Sequence, residues 1–308
     1  MKLARYRDTS GDHWGAIDPA AGTIRRIPDA FTEWAPEVTA KGPGVLRFAG
    51  GTLKVDAVRL LAPLHPAGHI YWLGLNYPNW PKPETADASI FFKTRTAVVG
   101  PEETIRFPKL ITVQPHAYFV YEIELVAVIG GRTLADPTHG ISDVLGYTIG
   151  NSGALRNNRV TCVGYDIMGR SSGRSSSAIG PWIVTRDELG GDRHPDLKMT
   201  MRINGATRQQ GRTRKMIWDM NKLLYEVDYR SKLGCGDVIE TGTCGYVGVQ
   251  DGLYNASDRA EAEIEGIGVL RNTVESKDPY CIHPSQRQLG AANSPPFYPY
   301  PVPDEVLR

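Results

Sequence analysis

Two glutamates that stand two residues apart, Glu122 and Glu124, are the side chains in this sequence whose spacing points most directly to chemistry. They precede a continuous apolar run, residues 125–129, of the kind found in strands buried on both faces. Side chains alternate along a strand, so both carboxylates point to one face. Like charges at the start of a core strand repel each other, and their removal from water is unfavourable. A divalent cation would make the pair favourable, because hard cations bind carboxylate oxygens. The alternative is a solvated strand end with two ordinary surface glutamates.

Without a cation, the same pair predicts acid–base chemistry. Each carboxylate raises the pKa of the other, so one of the two becomes protonated. A protonated glutamate beside an ionised one forms a general acid–base couple.

The elements that must position these residues are mostly strands. Short apolar runs broken by Gly, Pro and Asp predict a small β-containing module over residues 1–65, with limited helix at 30–38. Apolar residues spaced for one helical face predict a helix over 213–232. Asn204-Gly205 predicts a hairpin turn after a strand at 198–203. Further strands are predicted at 70–75, 144–149, 180–185, 237–242 and 262–270.

Composition excludes several classes of protein. The net charge of +1 gives no electrostatic case for nucleic acid or for a membrane surface. No apolar run is long enough to span a bilayer, and the first residues show no signal region, so we expect a cytoplasmic protein. The four cysteines lack the spacing of a zinc site or of a disulfide framework: Cys162, Cys235, Cys244 and Cys281.

Seven segments, in this order, resemble the fumarylacetoacetate hydrolase (FAH) superfamily over nearly the whole chain. They are RLLAP (59–63), GLNY (74–77), FFK (91–93) with GP (100–101), YEIE (121–124), GPWIVT (180–185), GDVIETGT (236–243) and IEGIGVLRNT (264–273).

The resemblance implies a mixed, β-dominated α+β fold with a β-sandwich or β-roll core. It implies a small N-terminal module at 1–65, a catalytic core at 66–282 and an extended C-terminal tail at 283–308. It further implies a homodimer, Mg²⁺ or Mn²⁺ held by three carboxylates, and a small 2-oxo acid or 1,3-dicarbonyl as the substrate.

The sequence departs from the family pattern inside the site. Ser152 stands where the family has the aspartate that is its third metal ligand, and a hydroxyl is a poorer Mg²⁺ ligand than a carboxylate. Trp80 stands where many members have a histidine base. Residues 170–177 replace a segment that carries a catalytic lysine and aspartate. The core strands keep the pattern, so the sequence indicates a retained scaffold with altered chemistry.

The candidate site residues follow from the same resemblance. Glu122, Glu124 and Lys93 are the candidate catalytic residues, with a surface lysine as the alternative for Lys93. Glu122 and Glu124 are the candidate metal ligands. Trp80 suggests a larger, more apolar substrate than a small oxo acid. The candidate substrate-binding residues are Tyr77, Trp80, Arg95, Arg156, Gln209 and Thr243.

Three hypotheses for the function stay open. The first is a metal-assisted enzyme that stabilises an enolate, from which C–C cleavage, decarboxylation or isomerisation follows. The second is a metal-independent isomerase, dehydratase or cyclase of specialised metabolism, acting on a bulkier substrate through Glu122 and Glu124. The third is a non-catalytic binding protein, against which the intact carboxylate pair argues.

Overall fold

The structure is a computed structural model of the 308-residue chain, and it describes residues 1–78, 89–106, 117–131, 140–157, 175–246 and 254–275. Within these residues the fold is β-dominated with two α-helices, α1 (Phe31–Lys41) and α2 (Met220–Ser231). The predicted α+β class is therefore confirmed.

The strands of the described residues are β1 (Lys2–Asp8), β2 (Gly11–Asp18), β3 (Thr23–Ile27), β4 (Ala49–Lys54), β5 (Arg59–Leu61), β6 (Ile70–Gly74), β7 (Ser89–Lys93), β8 (Val98–Val99), β9 (Thr104–Arg106), β10 (Ala117–Val120), β11 (Ile123–Ile129), β12 (Val144–Asn151), β13 (Ala154–Asn157), β14 (Ser177–Thr185), β15 (Lys198–Ile203), β16 (Ala206–Arg212), β17 (Val238–Thr243), β18 (Arg259–Ile264) and β19 (Gly268–Glu275).

One large sheet carries the elements that build the site. Its strand order is β4-β3-β2-β1-β14-β12-β11-β17-β6-β7, with β5 paired to β1 and β8 paired to β14. The contact between β1 and β14 joins the predicted N-terminal module to the core within a single sheet. β17 and β6 run parallel, whereas β11 is antiparallel to both of its neighbours, β12 and β17.

The large sheet is covered on both faces. On one face, α1 packs through Trp34 and Val38 against apolar residues that include Val126 and Val128 of β11. On the other face, Leu125 and its alternate neighbours pack with α2 and with a second sheet of order β16-β15-β18-β19-β9. Every residue of β11 is consequently buried, which confirms the prediction of a strand buried on both faces.

The helix predicted over 213–232 is shorter than its apolar spacing indicated. The chain forms a 3₁₀ turn at Thr213–Lys215, and α2 begins only after Asp219, whose side chain accepts a hydrogen bond from the backbone N–H of Lys222 at 2.9 Å. Between them, the backbone N–H of Trp218 donates to Oδ1 of Asn76 at 2.8 Å. This tertiary hydrogen bond and the N-cap together exclude residues 216–218 from the helix.

The structure confirms the predicted hairpin at Asn204-Gly205 and corrects a strand prediction at 262–270. The turn at Asn204-Gly205 joins β15 to β16 with both residues at positive φ, as predicted. The single strand predicted at 262–270 was wrong, because β18 and β19 form an antiparallel hairpin there. Gly266, at φ +77°, provides the left-handed backbone that this turn requires.

In the part of the chain that the structure describes, none of the helices is both long enough and apolar enough to cross a bilayer.

Candidate active site

The two glutamates singled out by the sequence lie at the start of β11, and both are buried. Oε1 of Glu124 accepts a hydrogen bond from the indole N–H of Trp72 at 2.9 Å, and its Oε2 accepts one from the backbone N–H of Gly242 at 2.6 Å. The backbone carbonyl of Glu122 accepts a hydrogen bond from the N–H of Ser152 at 2.8 Å. The chain following β12 is thereby held beside the glutamates.

Lys93, at the end of β7, is a buried residue and not the surface lysine that was its alternative. Its side chain is fully excluded from solvent. The ammonium Nζ donates one hydrogen bond to Oγ of Ser152 at 2.8 Å and another to Oε2 of Glu240 at 2.5 Å. The structure thus brings together Lys93, Ser152 and Glu240.

Strand register explains why Glu240 lies near Glu124. Glu240 is paired with Val126 across the β11–β17 ladder and with Trp72 across the β17–β6 ladder. Paired residues on neighbouring strands point to the same face of a sheet, and so do residues two apart on one strand. Glu124, Glu240 and Trp72 therefore share one face.

The electrostatic environment favours the neutral form of Glu124. Burial raises the pKa of its carboxyl well above the ordinary value, and the charges of Glu240 and then Glu122 raise it further. The ammonium of Lys93 and the N–H of Gly242 act in the opposite direction, and they do not outweigh burial. A carboxylic acid next to other carboxyl groups is an arrangement suited to proton transfer.

Glu240 was not among the residues predicted for the site. It lies inside the strand predicted at 237–242, for which no role in the site was predicted. A signal was present, because an ionisable residue within an apolar β-run such as Val238-Ile239-Glu240 is seldom fully buried unless it has a charged partner. The partner, Lys93, could not be identified from the sequence.

Gln209 and Thr243 lie close to the glutamates, and their side chains form hydrogen bonds with each other and with the backbone of Ile123. The side-chain amide of Gln209 accepts a hydrogen bond from the N–H of Ile123 at 3.0 Å and donates to Oγ1 of Thr243 at 2.9 Å. Thr243 in turn donates to the carbonyl of Ile123 at 2.8 Å. These bonds fix the start of β11, and contact of either side chain with a substrate stays a prediction.

The structure places Arg95 outside the cluster of buried charges and Tyr77 beside it, where burial raises the pKa of the Tyr77 hydroxyl and the charges of Cys244 and Glu124 raise it further. Tyr77 belongs to the apolar core, where its hydroxyl lies 3.9 Å from Sδ of Met199. The guanidinium of Arg95 donates to the carbonyls of His65 and Gly68, each at 3.0 Å. In these positions Tyr77 packs in the core, and Arg95 holds the loop of His65 and Gly68 by hydrogen bonds. A role for either residue in substrate binding stays a prediction.

Two further predicted residues cannot be placed in the site. Arg156 lies on β13, but its side chain is not among the described side chains. Trp80 lies outside the described residues altogether.

The donors at this locus do not fit a three-carboxylate metal site. Glu122 and Glu124 provide two carboxyls, but the third position is the neutral Ser152, whose hydroxyl already accepts a hydrogen bond from an ammonium. The further carboxyl nearby, that of Glu240, is paired with the same ammonium. Across the described ranges, no group of three or more His, Cys, Asp and Glu side chains is arranged to hold a metal ion. A cation sharing this space with Lys93 would also meet its positive charge.

Several known proteins are similar to this chain in sequence and in fold. The fumarylacetoacetate (FAA) hydrolase C-terminal family matches residues 69–275. A 2,4-didehydro-3-deoxy-L-rhamnonate hydrolase from Sphingomonas sp. (strain SKA58) is 30% identical over 285 residues, which cover 89% of this chain and 96% of that protein.

Two solved structures extend the comparison. The crystal structure of 2-hydroxyhepta-2,4-diene-1,7-dioate isomerase from Mycobacterium marinum superposes with a TM-score of 0.71 at 30% identity, covering 90% of this chain and 99% of that one. Maleylpyruvate hydrolase from Sphingobium sp. SYK-6, solved with manganese(II) and pyruvate, has a TM-score of 0.69 at 21% identity over 90% of this chain and 100% of that one. The second likeness concerns the fold alone. The match of family, sequence and fold shows that this chain belongs to the fumarylacetoacetate hydrolase superfamily, a family of hydrolases, isomerases and tautomerases that act on oxo acids.

Proposed function

We propose that the enzyme moves a proton on an enolisable 2-oxo acid or 1,3-dicarbonyl compound, passing through an enolate held at Lys93. The observation that carries this proposal is the ammonium of Lys93, fully buried between Ser152 and Glu240 on the same side of the sheet as Glu124. A fixed positive charge in a site that excludes water is the group best suited to stabilise an oxyanion as it forms.

The reaction needs a base, an acid and this charge. A carboxylate removes the proton next to the substrate carbonyl, the C–H electron pair forms the C=C bond of the enolate, and the carbonyl π electrons move to oxygen. The enolate oxygen then lies in the field of Lys93. Return of the proton to another carbon, or to oxygen, completes an isomerisation or tautomerisation. In this proposal Glu122 and Glu124 carry out both transfers, because their buried carboxyl groups lie near each other.

The same enolate can also lead to C–C cleavage or decarboxylation. Hydrolytic cleavage requires a water molecule activated by a positioned base, and such a base contributes ~10²–10⁴-fold to a rate. The histidine that serves many members is replaced by Trp80 in this sequence. This replacement favours a proton shift over hydrolysis. The similar protein from Mycobacterium marinum is an isomerase, which agrees with that choice.

No step of the proposed reaction uses the metal predicted from the sequence, which is Mg²⁺ or Mn²⁺ at Glu122 and Glu124. When bound in a site of this family, such an ion would polarise the oxygens of a dicarbonyl. The manganese of the Sphingobium enzyme belongs to that protein. Here the substitution at Ser152 and the presence of Lys93 support the second hypothesis of the sequence analysis, a metal-independent enzyme.

Proton exchange tests the proposal directly. Acetylpyruvate, oxaloacetate and larger aromatic dicarbonyls are incubated with the enzyme in D₂O, with and without EDTA, and deuterium incorporation next to the carbonyl is followed by NMR. We expect exchange that survives EDTA for at least one substrate. Lys93→Met should reduce its rate by ~10²–10³-fold, as expected for loss of an oxyanion-stabilising group.

The matched control is Lys41→Met, which removes an exposed lysine paired with Glu37 on α1 and should leave the exchange rate unchanged. Rapid hydrolysis of acetylpyruvate would show that the enzyme is a hydrolase and would contradict the preference for a proton shift. Exchange of equal rate in wild type and Lys93→Met would remove Lys93 from the mechanism.

A further inference from the structure

The negative charge that balances Lys93 comes from an unexpected position in the sequence. Oγ of Ser152, 2.8 Å from Nζ of Lys93, is neutral and cannot balance an ammonium. The carboxylate of Glu240 does so from β17, at 2.5 Å, and both side chains are fully excluded from solvent. An isolated buried ammonium is strongly unfavourable, and Glu240 is the counter-charge that offsets the burial of Lys93 in this place.

Glu240 is only half satisfied by this pairing. Its Oε2 accepts from Lys93, whereas its Oε1 is buried and has no hydrogen-bond partner within the described part of the chain. Leaving a buried carboxylate oxygen without a donor costs stability, and such groups in native proteins call for a functional explanation. Replacing a buried ion pair by apolar side chains is often neutral or stabilising, so stability alone does not explain this pair.

The position that gives Lys93 a negative neighbour in this structure differs from the position at which the family pattern has an aspartate. In the pattern that the sequence resembles, position 152 is an aspartate; here it is a serine, and it still contacts Lys93. Removing that carboxylate takes away a metal ligand and would also take away a negative neighbour of Lys93. Glu240 provides a negative charge to the same ammonium from the neighbouring strand.

We propose that Glu240 is a relocated carboxylate, a positioning residue that holds the ammonium of Lys93 as the permanent cation of this site in place of a divalent metal ion. The proposal concerns the cation of the site and needs no knowledge of the substrate. Both of its tests use binding and stability, so they can fail or succeed independently of the proton-exchange assay.

The first test is a rescue experiment. Glu240→Gln leaves Lys93 buried without a counter-charge and should lower the melting temperature by roughly 5–10 °C. Ser152→Asp in the same chain places a carboxylate next to Nζ of Lys93 and should restore most of that loss. The matched control, Ser152→Asn with Glu240→Gln, adds an uncharged side chain of similar size and should restore none. Equal rescue by Asp and Asn, or rescue by neither, would contradict the relocation.

The second test titrates Mn²⁺ into each protein and follows the free ion by its EPR signal. Wild type should show no stoichiometric binding, because Lys93 occupies the locus. Lys93→Met with Ser152→Asp, which removes the ammonium and adds the third carboxylate, should bind one Mn²⁺ per chain, and adding Glu122→Gln should abolish that binding. One tightly bound Mn²⁺ in wild type, lost on Glu122→Gln, would overturn the proposal, as would a folded double variant that binds none. If the double variant does not fold, the wild-type titration decides.

Discussion

The carboxyl of Glu124 receives hydrogen bonds from the indole N–H of Trp72 and the backbone N–H of Gly242, and it lies beside two further carboxyls. The two N–H donors favour its charged form, whereas burial and like charges favour the neutral form. Burial is the largest of these influences, so the pKa of Glu124 is raised. At the scale of single residues, the chemistry of this site is therefore decided by how completely water is excluded.

The same exclusion of water argues against the hypothesis that Cys244, a cysteine in a Gly-rich turn after β17, is a nucleophile. Burial raises the pKa of its thiol to about 12, and the charge of Glu124 adds to the effect. The thiolate is the reactive form, and at pH 8 almost none is present. Cys244 accordingly fills space as a small apolar residue, packed against Gly211.

We predict that Cys244 resists iodoacetamide in the native protein at pH 8, as measured by mass spectrometry of tryptic peptides. Cys235, whose thiol pKa is raised to about 11, should also react slowly. Alkylation of both in guanidinium serves as the control for reagent and digestion. Complete labelling of native Cys244 within minutes would mean that its thiol is ionised and accessible, and the nucleophile hypothesis would then return.

At the scale of elements, the large sheet depends on positions where two strands approach too closely for a side chain. Gly146 of β12 is one of them, because a Cβ at this residue would lie 2.2 Å from the carbonyl oxygen of Val184 on β14. That contact is with backbone, so it cannot be relieved by a rotamer change. β12 carries Asn151 at its end and leads directly into Ser152, so the pairing of β12 and β14 also positions the site.

Gly146→Ala should therefore destabilise the protein by about 1–3 kcal/mol or more, the cost of overpacking a rigid core. Gly51→Ala is the matched control, since a Cβ there meets nothing within 4 Å and its φ is not in the left-handed region. Urea unfolding of both variants measures the difference. Equal stability of the two would show that β12 and β14 can separate at this point without loss.

The N-cap of α2 gives a second prediction for this scale. Asp219 accepts a hydrogen bond from the backbone N–H of Lys222, and Asp219→Ala should reduce the free energy of unfolding by ~1 kcal/mol. Asp187→Ala, which removes an exposed aspartate in a 3₁₀ turn, is the control and should change it little. A loss of the same size in both variants would assign the effect to charge and not to capping.

At the scale of the whole molecule, one continuous sheet joins the N-terminal strands to those that carry the site. β1 pairs with β14, and the sheet continues through β12 and β11 to β17, β6 and β7. The boundary predicted at residue 65 thus separates segments of sequence that share a sheet. Burial on both faces of that sheet is what allows a charged cluster to be enclosed at its centre.

The assembly predicted from the family resemblance is a homodimer, with the tail from His283 as an arm over the partner; this tail lies outside the described residues. Sedimentation equilibrium should give twice the chain mass of 33.9 kDa. A chain ending before His283 should dissociate at higher protein concentration than the full chain. A wild-type monomer would refute the dimer. An unchanged dissociation constant after truncation would show that the tail does not stabilise the dimer.

The sequence by itself determined the strand that begins at Ile123, the glutamate pair before and within it, the hairpin at Asn204-Gly205 and the family. These features depend on local patterns of period two, on turn chemistry and on motif order, all of which are read along the chain. The resemblance also identified Lys93 as a candidate and Ser152 as a departure. Neither motif nor spacing indicated what the two do together.

Only the tertiary structure decided that Lys93 is buried and that Glu240, 147 positions away, is its partner. The physical reason is that the contact follows from the register of β7 on β6 and of β6 on β17, which sets the face and height of each side chain. The hydrogen bonds of Gln209 and Thr243 to the backbone of Ile123 likewise join residues that are far apart in the sequence. A charge on a strand is a surface group or a catalytic one depending on which strands lie beside it, and that is a property of the assembled sheet.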